Sequence, residues 1–372
     1  MVSSLLDAVE EVGRLASSRA TETEVLRRLP DDVAAALVAS GLLRAWVPSA
    51  YGGGGAGAQE VLDAIEALAF HDGATAWCGM IGATTSLTSG YLSSEWGERI
   101  YGDPLAVTGG FAMPAGVGRR VEGGLVVDGR WAWGSGSYHC TWIGGGVRVE
   151  GEGAPFVFFE REQVELLDTW RVAGLKGTGS TDYAVHDAFV PEGRWVHIGR
   201  DAPVVDSPIY RLPFLGTLAL GVCMVSVGLA RRAQHELVEV AEGKIPAGSA
   251  KTLANRPVVQ LEVARAEASW RSARALVREV VEEASAEGAA GIVSDETKRR
   301  IRLAATNATW ASAAAVDRMY HAAGGSSIHE ASPLQRVFRD VHVATQHGMV
   351  AERTLEPLGR MALGLPTDAG MF

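Results

Sequence analysis

Apolar side chains recur at two different periods along this chain, and the change of period marks out its parts. Near the amino end Leu5, Val9, Val12 and Leu15 fall at helical spacing. Asp31 and Asp32 open a second helical stretch, with Gly41 where a helix-terminating glycine belongs. A turn-rich run at 47–55 (VPSAYGGGG) precedes helical patterns at 59–68 and about 75–92. From about residue 105 to 197 the period falls to two. The segment GLVVDGRWAW predicts strands around a turn at Asp128-Gly129, because Asp-Gly is a strong hairpin signal. Further strands are expected at 142–150, 155–160 and 182–190, separated by glycine clusters. From about residue 212 the helical period returns and holds, with long helices over 262–286, 297–323 and 332–363. The expected fold is mainly α with a β insert. An N-terminal helical domain (1–105) leads into a small antiparallel β domain (106–205), a barrel or sandwich, and then a C-terminal four-helix-bundle-like domain (206–372).

Composition narrows the function more than the fold. The 372 residues are 47% hydrophobic and 21% charged, as in ordinary globular chains. With 34 basic against 44 acidic side chains the net charge is -10, which repels phosphate backbones and argues against nucleic acid as a partner. Cys78, Cys140 and Cys223 are too few and too scattered for a disulfide framework or a zinc site. They read as reduced thiols of a cytoplasmic protein. The amino-terminal stretch carries Asp7, Glu10 and Glu11 within its apolar pattern, so it reads as an amphipathic helix and not a signal peptide. Residues 212–230 hold no charge and approach membrane-spanning length. Pro213 opens them, however, and Gly216, Thr217, Gly221, Ser226 and Gly228 interrupt them, so a helix buried on all sides is expected and no membrane contact.

The common catalytic signatures are missing. No GxGxxG opens a helix after a strand, no GxxxxGK[ST] loop is present, and there is no HExxH. GSGSYH at 134–139 does not match the GxSxG of serine hydrolases. What the chain does hold is a series of segments in order. These are VPSAYGGGG at 47–55, DGRWAWGSG at 128–136, GLKGTGSTDYAVHDAFVPE at 174–192, VVQLEVARAEA around Gln260, and His321 followed by Gly324-Gly325. Together they resemble the acyl-CoA dehydrogenase superfamily of flavoproteins over almost the whole chain, in the same order of helices, β unit and helices.

The resemblance implies particular roles. Trp133 would pack on the flavin ring and Ser135 would meet its N5 edge, and a flat aromatic ring does suit an aromatic face. Trp133 alone reads more readily as a core aromatic on a strand, and the surrounding motif reverses that reading. Gln260 would reach the flavin nucleotide of a neighbouring subunit, although Ser249 stands where the family carries an arginine, with Lys251 as a substitute. Gly324 and Gly325 would let backbone N–H groups approach the flavin pyrophosphate; as bare glycines they read as well as a helix terminus. Sites shared between subunits imply a homotetramer, or at least a dimer.

One departure decides the branch. The family's dehydrogenases place a glutamate nine residues after the arginine of an RD run, to take the substrate α-proton. Counting nine from Arg339 gives Gly348, and 212–230 offers no acid. Glu352, four residues further along the same helix and so on roughly the same face, is the one nearby candidate to replace that base. Instead the run reads RDVHVATQH, from Arg339 to His347. That pattern resembles the flavin-dependent monooxygenase branch of two-component hydroxylases. The branch takes reduced flavin, FMN or FAD, from a separate flavin reductase. It hydroxylates a small organic substrate, aromatic or polycyclic, through a C4a-hydroperoxide. The resemblance places His347 near the flavin, and imidazole suits proton work near neutral pH. His139 in SGSYH is the second candidate, and His342 reads as structural. Thr84, Thr85 or Ser86 would line the wall where some members carry another histidine. An FAD-containing acyl-CoA dehydrogenase and a non-catalytic flavin- or ligand-binding helical assembly are the alternatives. No metal is expected.

Overall fold

A computed structural model describes residues 4–367. Six helices lead: α1 (Leu5–Ser18), α2 (Ala20–Leu26), α3 (Asp31–Ala39), α4 (Ala58–His71), α5 (Gly73–Ser86) and α6 (Ser94–Tyr101). Local chemistry starts and stops them. Ser4 and Asp7 cap α1 reciprocally, Asp72 caps α5 through the Thr75 N–H, and Gly41 follows α3 at φ 80. The pattern gave no sign of α2 and α6, which are short and flank turns.

Seven strands follow: β1 (Thr108–Val121), β2 (Gly124–Gly134), β3 (Trp142–Val149), β4 (Phe156–Glu160), β5 (Glu165–Leu167), β6 (Thr181–Pro191) and β7 (Trp195–Val196). Their order is β5-β6-β2-β1-β3-β4-β7. The sheet is mixed, not antiparallel as expected: β1 and β3 are parallel. The segment after β2 crosses over β1, so β3 lies on the far side of β1 and runs with it. The Asp128-Gly129 turn is also corrected. The β1–β2 turn sits at Glu122-Gly123, with Gly123 at φ 78, and Asp128-Gly129 lies inside β2. There the Asp128 carboxylate accepts the backbone N–H of Asp187 at 3.1 Å, where β6 carries an extra residue. The Asp-Gly pair serves a bulge instead of a turn.

The last part comprises α7 (Phe214–Gly243), α8 (Pro257–Ala290), α9 (Asp295–Ala323), α10 (Pro333–Thr345) and α11 (Leu355–Ala362). By length and composition α7 could cross a membrane, yet 78% of its apolar window is buried inside the fold. Residues 221–230 are all buried. Gly228 makes this possible, since a Cβ there would lie 2.5 Å from both the Ala69 Cβ and the Glu66 carbonyl oxygen of α4. The apolar core runs without a break from α1 through the sheet to α10.

The pair Arg339-Asp340 docks the β unit on the bundle. Buried Asp340 accepts the Leu175 N–H at 2.5 Å, and Arg339 donates to the Ala173 carbonyl and pairs with Glu24. Gly174 is required between them, because a Cβ would fall 2.3 Å from the Arg339 carbonyl oxygen.

Candidate active site

At the end of β2 the register with β6 slips by one residue between Trp131 and Gly134. Trp133 occupies the slip at φ 59, a left-handed conformation that costs a bulky side chain on the order of 1–3 kcal/mol. The bulge turns its indole outward, where it is 60% exposed, with the Phe111 ring against it edge-on at 5.4 Å. An uncovered indole on a strained bulge is an aromatic platform and no core residue.

Two residues later the chain turns inward, and Ser135 is buried. Its Oγ accepts the Trp77 indole N–H at 3.1 Å and lies 2.6 Å from the Ser180 Oγ. Ser180 in turn lies 2.6 Å from the Thr178 Oγ1, which donates to the Leu175 carbonyl at 2.9 Å. Each hydroxyl has one proton and an indole nitrogen only donates, so the direction of the row is fixed. It runs Trp77 to Ser135 to Ser180 to Thr178 to Leu175. Ser135 therefore has its proton committed and only a lone pair to offer.

Beyond Ser135, Gly136 turns at φ 73 and brings His139 back beneath it. His139 is half-buried, and burial pulls its imidazole down to about 4. His347 lies just past the end of α10. Its Nδ1 accepts the Met349 N–H at 3.3 Å, so the neutral ring carries its proton on Nε2. Burial, and then the neighbouring Arg302 charge, lower its pKa to about 4. The ring packs edge-on against Trp77 at 5.6 Å. Trp77 thus ties the two sites together, its nitrogen on Ser135 and its ring on His347.

The remaining expectations divide. His342 bonds Asp317 on α9 at 2.8 Å, a structural role. Thr85 and Ser86 turn their hydroxyls onto α5 carbonyls, whereas the buried Thr84 hydroxyl has no partner among the described residues and is the one available to line that wall. Glu352 is corrected: α10 ends at Thr345, and Glu352 sits exposed in the turns beyond it, not on a shared helical face. Gln260, Gly324 and Gly325 lie apart from Ser135, exposed on the outside of the bundle. Gln260 donates to the Ala254 carbonyl at 2.9 Å. Gly324, at φ 64 and ψ -153, adopts a conformation open to glycine alone, and Lys244 anchors this turn on Ala323 and Ser326. Nearby, a groove of about 600 Å³ runs between α8 and α9, lined by Arg256, Val259, Glu262, Arg318 and His321. Lys251 is exposed as well.

Sequence reasoning missed Trp77, Thr178, Ser180 and Arg302. The first three look like ordinary helix and loop residues, and only the fold joins them. Arg302 did leave a trace, since it stands three residues before Ala305 and seven before Thr309 on the inward stripe of α9.

Comparison with known proteins identifies the family. Residues 220–352 match the family model "Acyl-CoA dehydrogenase, C-terminal domain". The indole-3-acetate monooxygenase of Pseudomonas putida is 32% identical over 366 residues, covering 97% of this chain and 92% of its own. The chain belongs to the acyl-CoA dehydrogenase superfamily, in its flavin-dependent monooxygenase branch. The flavin-dependent monooxygenase oxygenase subunit HsaA of Rhodococcus jostii is 31% identical, with 94% and 95% of the two chains covered. Among solved structures, the 3-HSA hydroxylase from Rhodococcus sp. RHA1 superposes with a TM-score of 0.92 at 28% identity, over 100% of this chain and 99% of that one. The monooxygenase is accordingly a flavin-dependent enzyme, and its residues fit a flavin. The exposed Trp133 face suits a planar ring, the spare Ser135 lone pair suits a ring N–H, and the open Gly324-Gly325 backbone suits a phosphate.

Proposed function

We propose that this monooxygenase hydroxylates an aromatic small molecule, using reduced flavin (FMN or FAD) delivered by a separate flavin reductase in the cytoplasm. The observation that carries the reading is a neutral His347, its proton on Nε2, joined through Trp77 to Ser135. When bound, reduced flavin supplies the two electrons that send one atom of dioxygen to the substrate and the other to water. The protein's part is binding and proton control. Trp133 would offer the ring a face, Ser135 would accept a hydrogen bond from the N5 edge, and His347 would hold a proton ready on Nε2 for the oxygen chemistry. His139, also neutral, lines the wall beneath Ser135. The apolar helices α5 and α7 keep water out, which protects an oxygen-activating site from simple peroxide release. Exposed Val258 and Leu261 around Gln260 support a homotetramer in which Gln260, Gly324 and Gly325 serve the flavin of a neighbouring copy.

The test supplies reduced FMN or FAD, ¹⁸O₂ and a panel of indoles and phenols. One ¹⁸O is expected per product molecule. His347→Ala should lower the ratio of product to hydrogen peroxide by at least about tenfold. An unchanged ratio would refute the role of His347. Bleaching of bound oxidised flavin by an acyl-CoA, without oxygen incorporation, would favour a dehydrogenase, against which the absent glutamate now speaks.

A further inference from the structure

Three arginines are buried among the described residues, and two of them are well provided for. Arg44 donates to the carbonyls of Asp103 and Tyr51. Arg194 pairs with Glu160 and donates to Gln163 and the Phe189 carbonyl. Arg302 differs. It is 2% exposed, its Nε has no hydrogen-bond partner, and its Nη1 donates only to the Met349 thioether at 3.1 Å. No carboxylate pairs with it among the described residues. Burial lowers its pKa to about 10, which leaves it charged at neutral pH. A thioether is a weak acceptor, so a guanidinium with up to five donors stands in the interior without an anion. Such a charge is costly unless something brings the opposite sign.

Its position says where that partner would come from. Met349, which covers Arg302, also fixes the His347 ring through its backbone N–H. Arg302, on α9, therefore packs against the turn that carries His347, and Trp77 connects that turn to Ser135. The unpaired charge belongs to the wall of the candidate active site and to no distant surface.

We infer that Arg302 is the counter-ion for a carboxylate on the enzyme's aromatic substrate, gripping it through the planar fork of the guanidinium. This rests on the monooxygenase reading, because it names the substrate class of that site. The carboxylate docks at Arg302 and sets the distance from the anchored end to the ring carbon that is oxidised. A different source of the same chemistry is an acidic side chain from a second copy of the chain, and the experiment separates the two.

The measurement is equilibrium binding of indole-3-acetate and its neutral amide, indole-3-acetamide, to the full-length protein with and without FMN. The expected result is an acid that binds at least about tenfold more tightly than the amide, a preference that falls with added salt. In Arg302→Met, which keeps the bulk and removes the charge, the preference should vanish while FMN and amide affinities stay within about threefold. Arg302→Lys should retain part of it. Folding of each variant is checked by its FMN affinity. Equal affinity of the wild-type protein for acid and amide, no binding of either while FMN binds, or a preference that survives Arg302→Met would each overturn the inference. A change of oligomeric state in Arg302→Met, without an acid preference in the wild-type protein, would assign the counter-charge to a second copy and overturn it too. Failure of the wild-type protein to bind either FMN or FAD would instead sink the monooxygenase reading, since the acid and amide can be compared without flavin.

Discussion

A hydroxyl can donate only once, and at Ser135 that donation already goes to Ser180. The remaining lone pair matches the N5–H of a reduced flavin and mismatches the bare N5 of the oxidised ring, if Ser135 meets that edge as proposed. Ser180→Ala should release the proton and let Ser135 donate. The ratio of dissociation constants for oxidised over reduced FMN should then fall by about 3–10-fold, the worth of one net hydrogen bond. Anaerobic titration of both forms reads this directly, and an unchanged ratio would refute the polarity of the row. Titration also shapes stability at this scale. Burial takes His347 down to about 4, so the neutral ring stabilises the fold above pH 6.5, and that contribution is lost as the pH falls towards 4. Asp340 behaves oppositely. Burial, above all, raises its carboxyl to about 7, so the fold weakens as the pH rises from about 4 to 7 and the buried group must ionise. Asp340→Asn keeps an acceptor for the Leu175 N–H and should raise stability by on the order of 1–3 kcal/mol at pH 8 and little at pH 4. Urea midpoints at the two pH values check both the sign and the window.

Among the elements, α7 shows how far a pattern can be read. A run with no charge but three glycines announced a buried helix, and the glycines mark where α7 meets its neighbours: Gly228 faces α4, Gly221 faces Met80 of α5 and Gly216 faces Ile301 of α9. Gly228→Ala improves helix propensity by about 1 kcal/mol, yet it drives a Cβ into the α4 backbone, so a net loss of about 1–3 kcal/mol is expected. Gly243→Ala, at the end of the same helix with open space around it, should cost nothing. A Gly228→Ala protein as stable as wild type in urea would show that the two helices can separate freely. The long helices, the glycine stop after α3 and most strands were legible because each depends on its own stretch of chain. Strand direction was not, because it depends on which neighbour β3 finds after crossing β1. Asp128-Gly129 misled for a related reason: a pair suited to a turn is also suited to a bulge, and only the partner strand decides. The end of α10 was hidden too, since periodicity runs on through Glu352 while the backbone turns away after Thr345. Trp133, Ser135 and His347 could be named from motifs, but the Trp77 bridge that joins them is a contact between distant segments.

At the scale of the molecule, the candidate site is divided between two places. Trp133 looks out from the end of β2 and Ser135 lies buried two residues on, whereas Gln260, Gly324 and Gly325 lie exposed at one end of the bundle. If one flavin uses both sets, the second set comes from another copy, with the ring held by one chain and the nucleotide end by its neighbour. The surface around Gln260 suits such burial, with Val258 55% and Leu261 48% exposed on the first turns of α8. A charge placed there should be tolerated by a lone chain, because these side chains already face solvent, and rejected by an interface. Leu261→Asp is therefore expected to leave the fold intact by circular dichroism and to shift sedimentation towards smaller species. Flavin affinity should fall at least about tenfold at the same time, although residue 261 lies far along the chain from Trp133 and Ser135. Sedimentation velocity and flavin titration on the same preparation decide the matter. A variant that dissociates but keeps full flavin affinity would mean that each chain holds its flavin alone, and Gln260 and the glycine pair would then need another purpose.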